Sequence, residues 1–380
     1  MDQHKLKYLA PALGLMMTAC GGGSENKIAG ETDEGGQGDS DYSQQVIDAM
    51  AETRYLNLAT GETVASDGDW HLAFNRTSVL LNSGDSGNGS VAGAVGDEQA
   101  DFYDVAGDPD LNKFVGATAD GELDHLADSF PVPESWTSDG VVYAFGDGWS
   151  AYGAGGVISE VPDIGYLVRS GEGDSYARMR VVDFDFPTRA GSGIESFNLE
   201  FEVQAAGTTQ FSGSTVSFTE PAEYDGGDAC FDFDTGAAVD CATSDAWDVL
   251  IGFSGREWYI KTNSGPSGTG QGGALGPISW AELSAYTSAT IDNATGESLE
   301  HAYVPDATGG LFAGSSWYAY NLQGAHKLWP NFRVYLIDSD SEDASAPIYA
   351  MQIINYYGAD GNSGQPEIRW KQVTLTSEEN

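Results

Sequence analysis

Along residues 197–203, the apolar side chains Phe197, Leu199, Phe201 and Val203 alternate with Asn198, Glu200 and Glu202. A period of two with one polar and one apolar face predicts a half-buried strand. Late in the chain, Ile368 and Trp370 suggest the same arrangement. Shorter runs of strand character recur throughout. Residues 55–64 form a hairpin pattern about Thr60-Gly61, residues 70–74 begin at Trp70, and residues 165–169 and 176–181 flank a GEGD turn. Helical spacing is weak, confined to residues 46–50 and the middle segments. The expected fold class is therefore all-β, mostly antiparallel, with a few short helices.

The pattern is written twice. Residues 55–64 correspond to residues 230–239, with Thr-Gly at both turns, and a tryptophan opens the next strand at Trp70 and at Trp247. The glycine segment Asn82-Ser-Gly84-Asp-Ser-Gly87-Asn-Gly89 has the spacing of Asn263-Ser-Gly265-Pro-Ser-Gly268-Thr-Gly270. Trp149-Ser-Ala-Tyr152 and Trp317-Tyr-Ala-Tyr320 align without a gap through Pro162 and Pro330. This organisation predicts two tandem domains, 42–222 and 223–380, each with its own core.

Ahead of the repeats, Lys5 and Lys7 precede an apolar run from Tyr8 to Met17 that is too short to span a bilayer, which suits a signal peptide over residues 1–19. Its end, Met17-Thr18-Ala19-Cys20, resembles the lipobox at which bacteria attach lipid to the cysteine. Residues 20–41 then comprise the lipidated Cys20 and a polar, glycine-rich tether that cannot bury enough apolar surface to fold. Gly21 after the cysteine favours the outer membrane, at the cell surface or periplasmic face, with membrane contact only through the lipid. A net charge of −42, from 58 acidic and 16 basic residues, opposes nucleic acid as a partner. Cys230 and Cys241 remain as an even pair in an oxidising compartment, and a disulfide is the expectation. A hairpin folded about Thr235-Gly236 would set them directly opposite one another, but a strict two-residue loop would put them at a hydrogen-bonded pair, the less comfortable site for a bridge, which favours a longer turn.

This order of elements, with a Thr-Gly hairpin, a tryptophan-led strand, the glycine loop, a tryptophan-tyrosine turn and a basic-hydrophobic strand, resembles the HmuY family over two passes. The resemblance implies a non-enzymatic, haem-binding surface lipoprotein that serves iron acquisition. Haem, or haem-carrying proteins, would be its partners, and an outer-membrane haem transporter its recipient. In this family the axial ligands to haem iron are histidine or methionine.

Four histidines follow the signal segment, His71, His125, His301 and His326. His125 and His301 fall at nearly matching places in the two copies and are the expected iron ligands, one per repeat. His326 sits beside Lys327 and Trp329, where a porphyrin edge and a propionate could be received, and Ile158 replaces it in the first copy. His71 is expected to point away from the face shared by Trp70, Leu72 and Phe74, and Met179 and Met351 to fill the core. The acidic loops 82–89, 108–112 and 338–343 lack calcium-loop spacing, and no nucleophile elbow or zinc-protease motif occurs. The second functional reading is a surface module for protein, glycan or calcium that keeps the fold without haem.

Overall fold

In a computed structural model, residues 41–189, 191 and 193–377 are described. The expected signal peptide and the lipidated Cys20 lie outside them. The described chain is mostly antiparallel sheet, with three short α-helices, Leu111–Gly116, Trp280–Leu283 and Leu311–Gly314. Among the described residues, no helix is long and apolar enough to cross a membrane.

The chain forms two compact units, and they do not follow the repeat boundary. One is the continuous stretch Gly140–Gly309, and the other joins residues up to Asp139 with those from Gly310 onward. The division expected between residues 222 and 223 is thus not the one the fold makes. Each unit combines the first half of one copy with the second half of the other. The reason is visible in strand pairing. Ile164–Arg169 of the first copy pairs with Gly273–Ser279 of the second, while Ala92–Asp97 of the first pairs with Val334–Asp338 of the second. Each of these ladders lies inside one unit, so neither copy closes on itself.

In the continuous unit, Thr215–Thr219, Ser196–Gln204 and Tyr176–Pro187 lie side by side in a seven-stranded sheet. A four-stranded sheet is built from Ala237–Val239, Ala229–Asp232, Val249–Ser254 and Glu257–Thr262. Phe197, Leu199 and Phe201, the apolar face of the alternating strand, share one core with Phe231, Val249, Ile251 and Ile260 of the smaller sheet. The polar face is not simply wet. Glu200 and Glu202 pair across the ladder with Arg180 and Arg178; the Arg180 guanidinium lies over Trp280, and the Arg178 guanidinium donates to the carbonyls of Leu283, Ser284 and Tyr286. Residues 280–286 therefore cap this sheet through cation–π and charge-assisted contacts.

The split unit repeats the plan. Ser363–Thr376 pairs with Ser43–Val46 and Ile348–Tyr357, and Glu62–Val64, Arg54–Asn57, Leu72–Asn75 and Ser78–Leu81 make its four-stranded sheet. Leu56, Phe74, Tyr335, Met351, Ile368 and Trp370 meet in its core. Met179 and Met351 are fully buried apolar filling, as expected.

The glycine loops have a structural purpose. The Asn82 side chain donates to the Trp70 carbonyl at 2.8 Å and accepts from the Gly89 amide at 3.0 Å, and Asn263 makes the same bonds to Trp247 and Gly270 at the same distances. Gly84 and Gly265 have φ of +51° and +54°, and a Cβ on either would overlap the carbonyl oxygen of Asp139 or Asp306, respectively. These are close backbone approaches that only glycine permits.

The disulfide Cys230–Cys241 is formed, with Cα atoms 5.4 Å apart, but not across the expected register. Cys230 pairs with Val239 and Asp232 with Ala237. The turn holds four residues, longer than a strict two-residue loop as the disulfide geometry favours, and Cys241 follows the end of the strand Ala237–Val239.

Candidate functional site

In the continuous unit, three elements converge on one open pocket of about 480 Å³ lined by Tyr152, Thr188, Arg189, Arg256 and Trp258. The first is the tryptophan-tyrosine hairpin, Ser150–Tyr152 against Val157–Glu160, which places Tyr152 opposite Ile158. Ile158 in turn faces Phe186 on the long strand Tyr176–Pro187, whose exit supplies Thr188 and Arg189. Gly156, at φ +84°, lets the Arg189 stem pack where a Cβ would come within 2.9 Å of its Cγ. The third element is the hairpin Val249–Ser254/Glu257–Thr262. Its two-residue turn, Gly255-Arg256, presents the second guanidinium, and Trp258 follows on the returning strand. Trp258 Nε1 donates to Ser150 Oγ at 2.7 Å, and Thr188 Oγ1 donates to the Gly156 carbonyl at 2.6 Å. Neither Arg189 nor Arg256 has an ion pair among the described residues.

The split unit carries the corresponding hairpin, Tyr318–Tyr320 against Leu328–Pro330, tied to the turn Arg76-Thr77 by Trp317 Nε1 donating to the Thr77 carbonyl at 3.0 Å. Here the hairpin loop holds an imidazole. His326 Nδ1 and Tyr320 Oη are 2.5 Å apart, and the His326 amide donates to Asn321 Oδ1 at 2.9 Å. His326 is exposed, with φ +55°. Lys327 Nζ lies 4.2 Å from the centroid of Trp329, whose own Nε1 is buried without a hydrogen-bond partner. An exposed imidazole fixed by a phenol, beside a cation and an indole, can coordinate iron while a carboxylate is neutralised nearby.

His125 and His301 are not brought together, and they are not equivalent. His125 closes the 3₁₀ turn Leu123–His125 in the split unit, whereas His301 lies in an exposed turn of the continuous unit. Counted back from the matching aspartates Asp139 and Asp306, the position equivalent to His301 is Glu134. The resemblance of their acidic surroundings comes from composition and not from the fold. His125 Nδ1 is hydrogen-bonded to Asp97 at 2.7 Å, while its Nε2 lies 3.6 Å from Glu122, beyond hydrogen-bond distance. Lys113 pairs with the same Glu122 at 2.9 Å. His71 is buried instead of turned outward, and its Nδ1 accepts the Leu58 amide at 2.9 Å. That bond places its proton on Nε2 and makes it a structural acceptor.

One carboxylate cluster, Glu172, Asp234 and Asp248, has its oxygens within 4.8 Å of one another. Both oxygens of buried Asp248 already accept backbone amides, from Gly171 at 2.8 Å and Phe233 at 2.9 Å, and burial pushes its pKa up to about 8. A carboxyl that is largely protonated at neutral pH is a poor calcium ligand.

Tyr152, Arg189, Arg256 and Trp258 escape a sequence reading because no motif joins them. The available signal was the scarcity of cations, 16 in a chain with 58 acids, which makes any two arginines at one pocket informative.

Among solved structures, a Bacteroides fragilis NCTC 9343 protein assigned as a lipoprotein is 14% identical, covering 46% of this chain and 89% of its own, with a TM-score of 0.15. A Bacteroides vulgatus ATCC 8482 protein assigned as an HmuY-like haem-binding protein is 15% identical, covering 46% and 90%, with a TM-score of 0.14. Comparison with curated proteins finds no match. The family whose model the sequence matches is the HmuY protein family, over residues 50–199, a stretch that includes the passage from Asp139 to Gly140 between the two units.

Proposed function

We propose that the protein is a haem-binding lipoprotein of the outer membrane that takes up haem and passes it to a transporter, with His326 as the iron ligand. The observation that carries this reading is the Tyr320–His326 pair, an exposed imidazole oriented by a phenol on a hairpin loop with Lys327 and Trp329 beside it. The match of residues 50–199 to the HmuY family supports the ligand class. His326 would hold the iron, Lys327 would neutralise a propionate, Trp329 would offer an aromatic surface, and the contact with Tyr320 would orient the imidazole. Haem, when bound, would be carried and handed on intact, its iron released from the imidazole as the macrocycle leaves. His125, whose Nδ1 is bonded to Asp97, is given a structural role in this reading, and His301 a surface one.

Titration of the mature protein with haemin tests this. A saturable Soret shift should appear, His326→Ala should abolish or strongly move it, and His125→Ala and His301→Ala should leave it in place. An unchanged Soret band in His326→Ala removes the assignment. The absence of any saturable shift removes the haem reading.

A further inference from the structure

We infer that the pocket of the continuous unit is a second, chemically different site, which takes a planar aromatic ligand bearing carboxylates and recognises it by charge and stacking instead of by a metal bond. The haem reading contributes only the choice of probe.

Three observations lead there. The imidazole position of the split-unit hairpin is occupied here by Ile158, which is fully buried, so this hairpin offers no nitrogen donor. In its place, two guanidinium groups come from separate elements, Arg189 from the end of a long strand and Arg256 from a hairpin turn. Both are exposed, and neither has an ion pair among the described residues although the chain holds acids in large excess, so both guanidinium groups are free to meet an anionic ligand. Guanidinium groups bind carboxylates through paired, charge-assisted hydrogen bonds, which suits a ligand with two such groups.

Beside Thr188, the remaining walls are aromatic. Tyr152 is 64% exposed, and Trp258 is held by its bond to Ser150, so the two rings are available to a flat apolar body. A volume of about 480 Å³ is within the range of pockets that take small organic ligands. The chemistry named is therefore a flat aromatic dicarboxylate, of which a metal-free porphyrin is a convenient example.

The test uses the full mature protein and metal-free protoporphyrin, followed by calorimetry. Binding should be saturable, unaffected by His326→Ala, and weakened about tenfold or more by the paired change Arg189→Gln and Arg256→Gln, since each removes a charge-assisted contact. Both arginines lie at an open pocket, and an unchanged melting profile of the paired variant verifies that the fold is kept. Undiminished binding by the folded paired variant overturns the site. Binding of haemin but not of the metal-free ring overturns the claim that charge and stacking suffice. Porphyrin binding lost with the arginines, in a protein showing no haemin-dependent Soret shift at His326, would support this site while removing the haem reading.

Discussion

His71 and Asp248 occupy the same slot in the two units. Each lies directly after the tryptophan, each donates its amide back to the neighbouring strand (to Leu56 at 2.8 Å and Phe231 at 2.9 Å), and each side chain accepts an amide just beyond that strand, from Leu58 or Phe233 at 2.9 Å. Burial acts on the two in opposite senses. It lowers the His71 pKa from 6.5, outweighing Asp69, and raises the Asp248 pKa to about 8. The stability contributed by His71 is present above its unfolded pKa and lost as pH falls below about 6.5. That contributed by Asp248 is fully present below its unfolded pKa and lost as pH rises through about 8. Asp139 and Asp338 in one unit and Asp306 and Asp234 in the other are all raised by burial and act in the same sense, so the opposed shifts of His71 and Asp248 distinguish the units. Hydrogen exchange, corrected for intrinsic rates, should show Leu72–Asn75 better protected at pH 8 than at pH 5 relative to Val249–Ser254. Parallel pH profiles in the two strands would refute the prediction.

Gly140–Gly309 should fold alone, because its ladders close within itself. A fragment of residues 42–222 should not, since Ala92–Asp97 would lack Val334–Asp338, and Ile164–Arg169 would lack Gly273–Ser279. Circular dichroism melts of both fragments decide this. A cooperative transition in 42–222 would show that the copies can close on themselves.

Reduction of Cys230–Cys241 should destabilise the continuous unit by about 2–3 kcal/mol, the loop-entropy value for so short a closure, and leave the split unit unchanged. Melting with and without reductant, read unit by unit, provides the check.

Gly84→Ala and Gly265→Ala should each cost several kcal/mol, more than the roughly 1 kcal/mol of an ordinary glycine-to-alanine mismatch, because a methyl group at either meets a backbone carbonyl. Gly107→Ala, at φ +81° but with open space around it, is the control and should cost about 1 kcal/mol. Denaturant midpoints measure all three, and equal effects would refute the steric account.

The alternation at 197–203 and the tryptophan-led strands are legible because burial on one face imposes a period of two, and the structure places Phe197, Leu199 and Phe201 in the core. Partner choice is not legible. Since the copies are alike, Ile164–Arg169 finds an equally suitable edge in either, and nothing local tells Gly273–Ser279 from Ala92–Asp97. His326 stood out through its neighbours Lys327 and Trp329, which are local in sequence. Arg189 and Arg256 did not, because their meeting depends on three elements brought together by the ladder of Ile158 with Phe186 and the turn after Ser254. The equivalence expected of His125 and His301 failed because the middle segments differ in length and path, which two similar acidic strings conceal.

Gly140–Val142 pairs antiparallel with Ala307–Gly309, so the strand that enters the continuous unit lies beside the one that leaves it. Gly310 likewise approaches Asp139, with a Cβ position 3.2 Å from the Asp139 Cα. Residues 140 and 307 are also corresponding positions of the duplication, following the matched Asp139 and Asp306. Unequal recombination between the two copies at this point would delete residues 140–306 and connect Asp139 directly to Ala307. The product would retain both halves of the split unit in a single uninterrupted copy, so one such step removes one unit and leaves every strand of the other's six-stranded sheet in the chain.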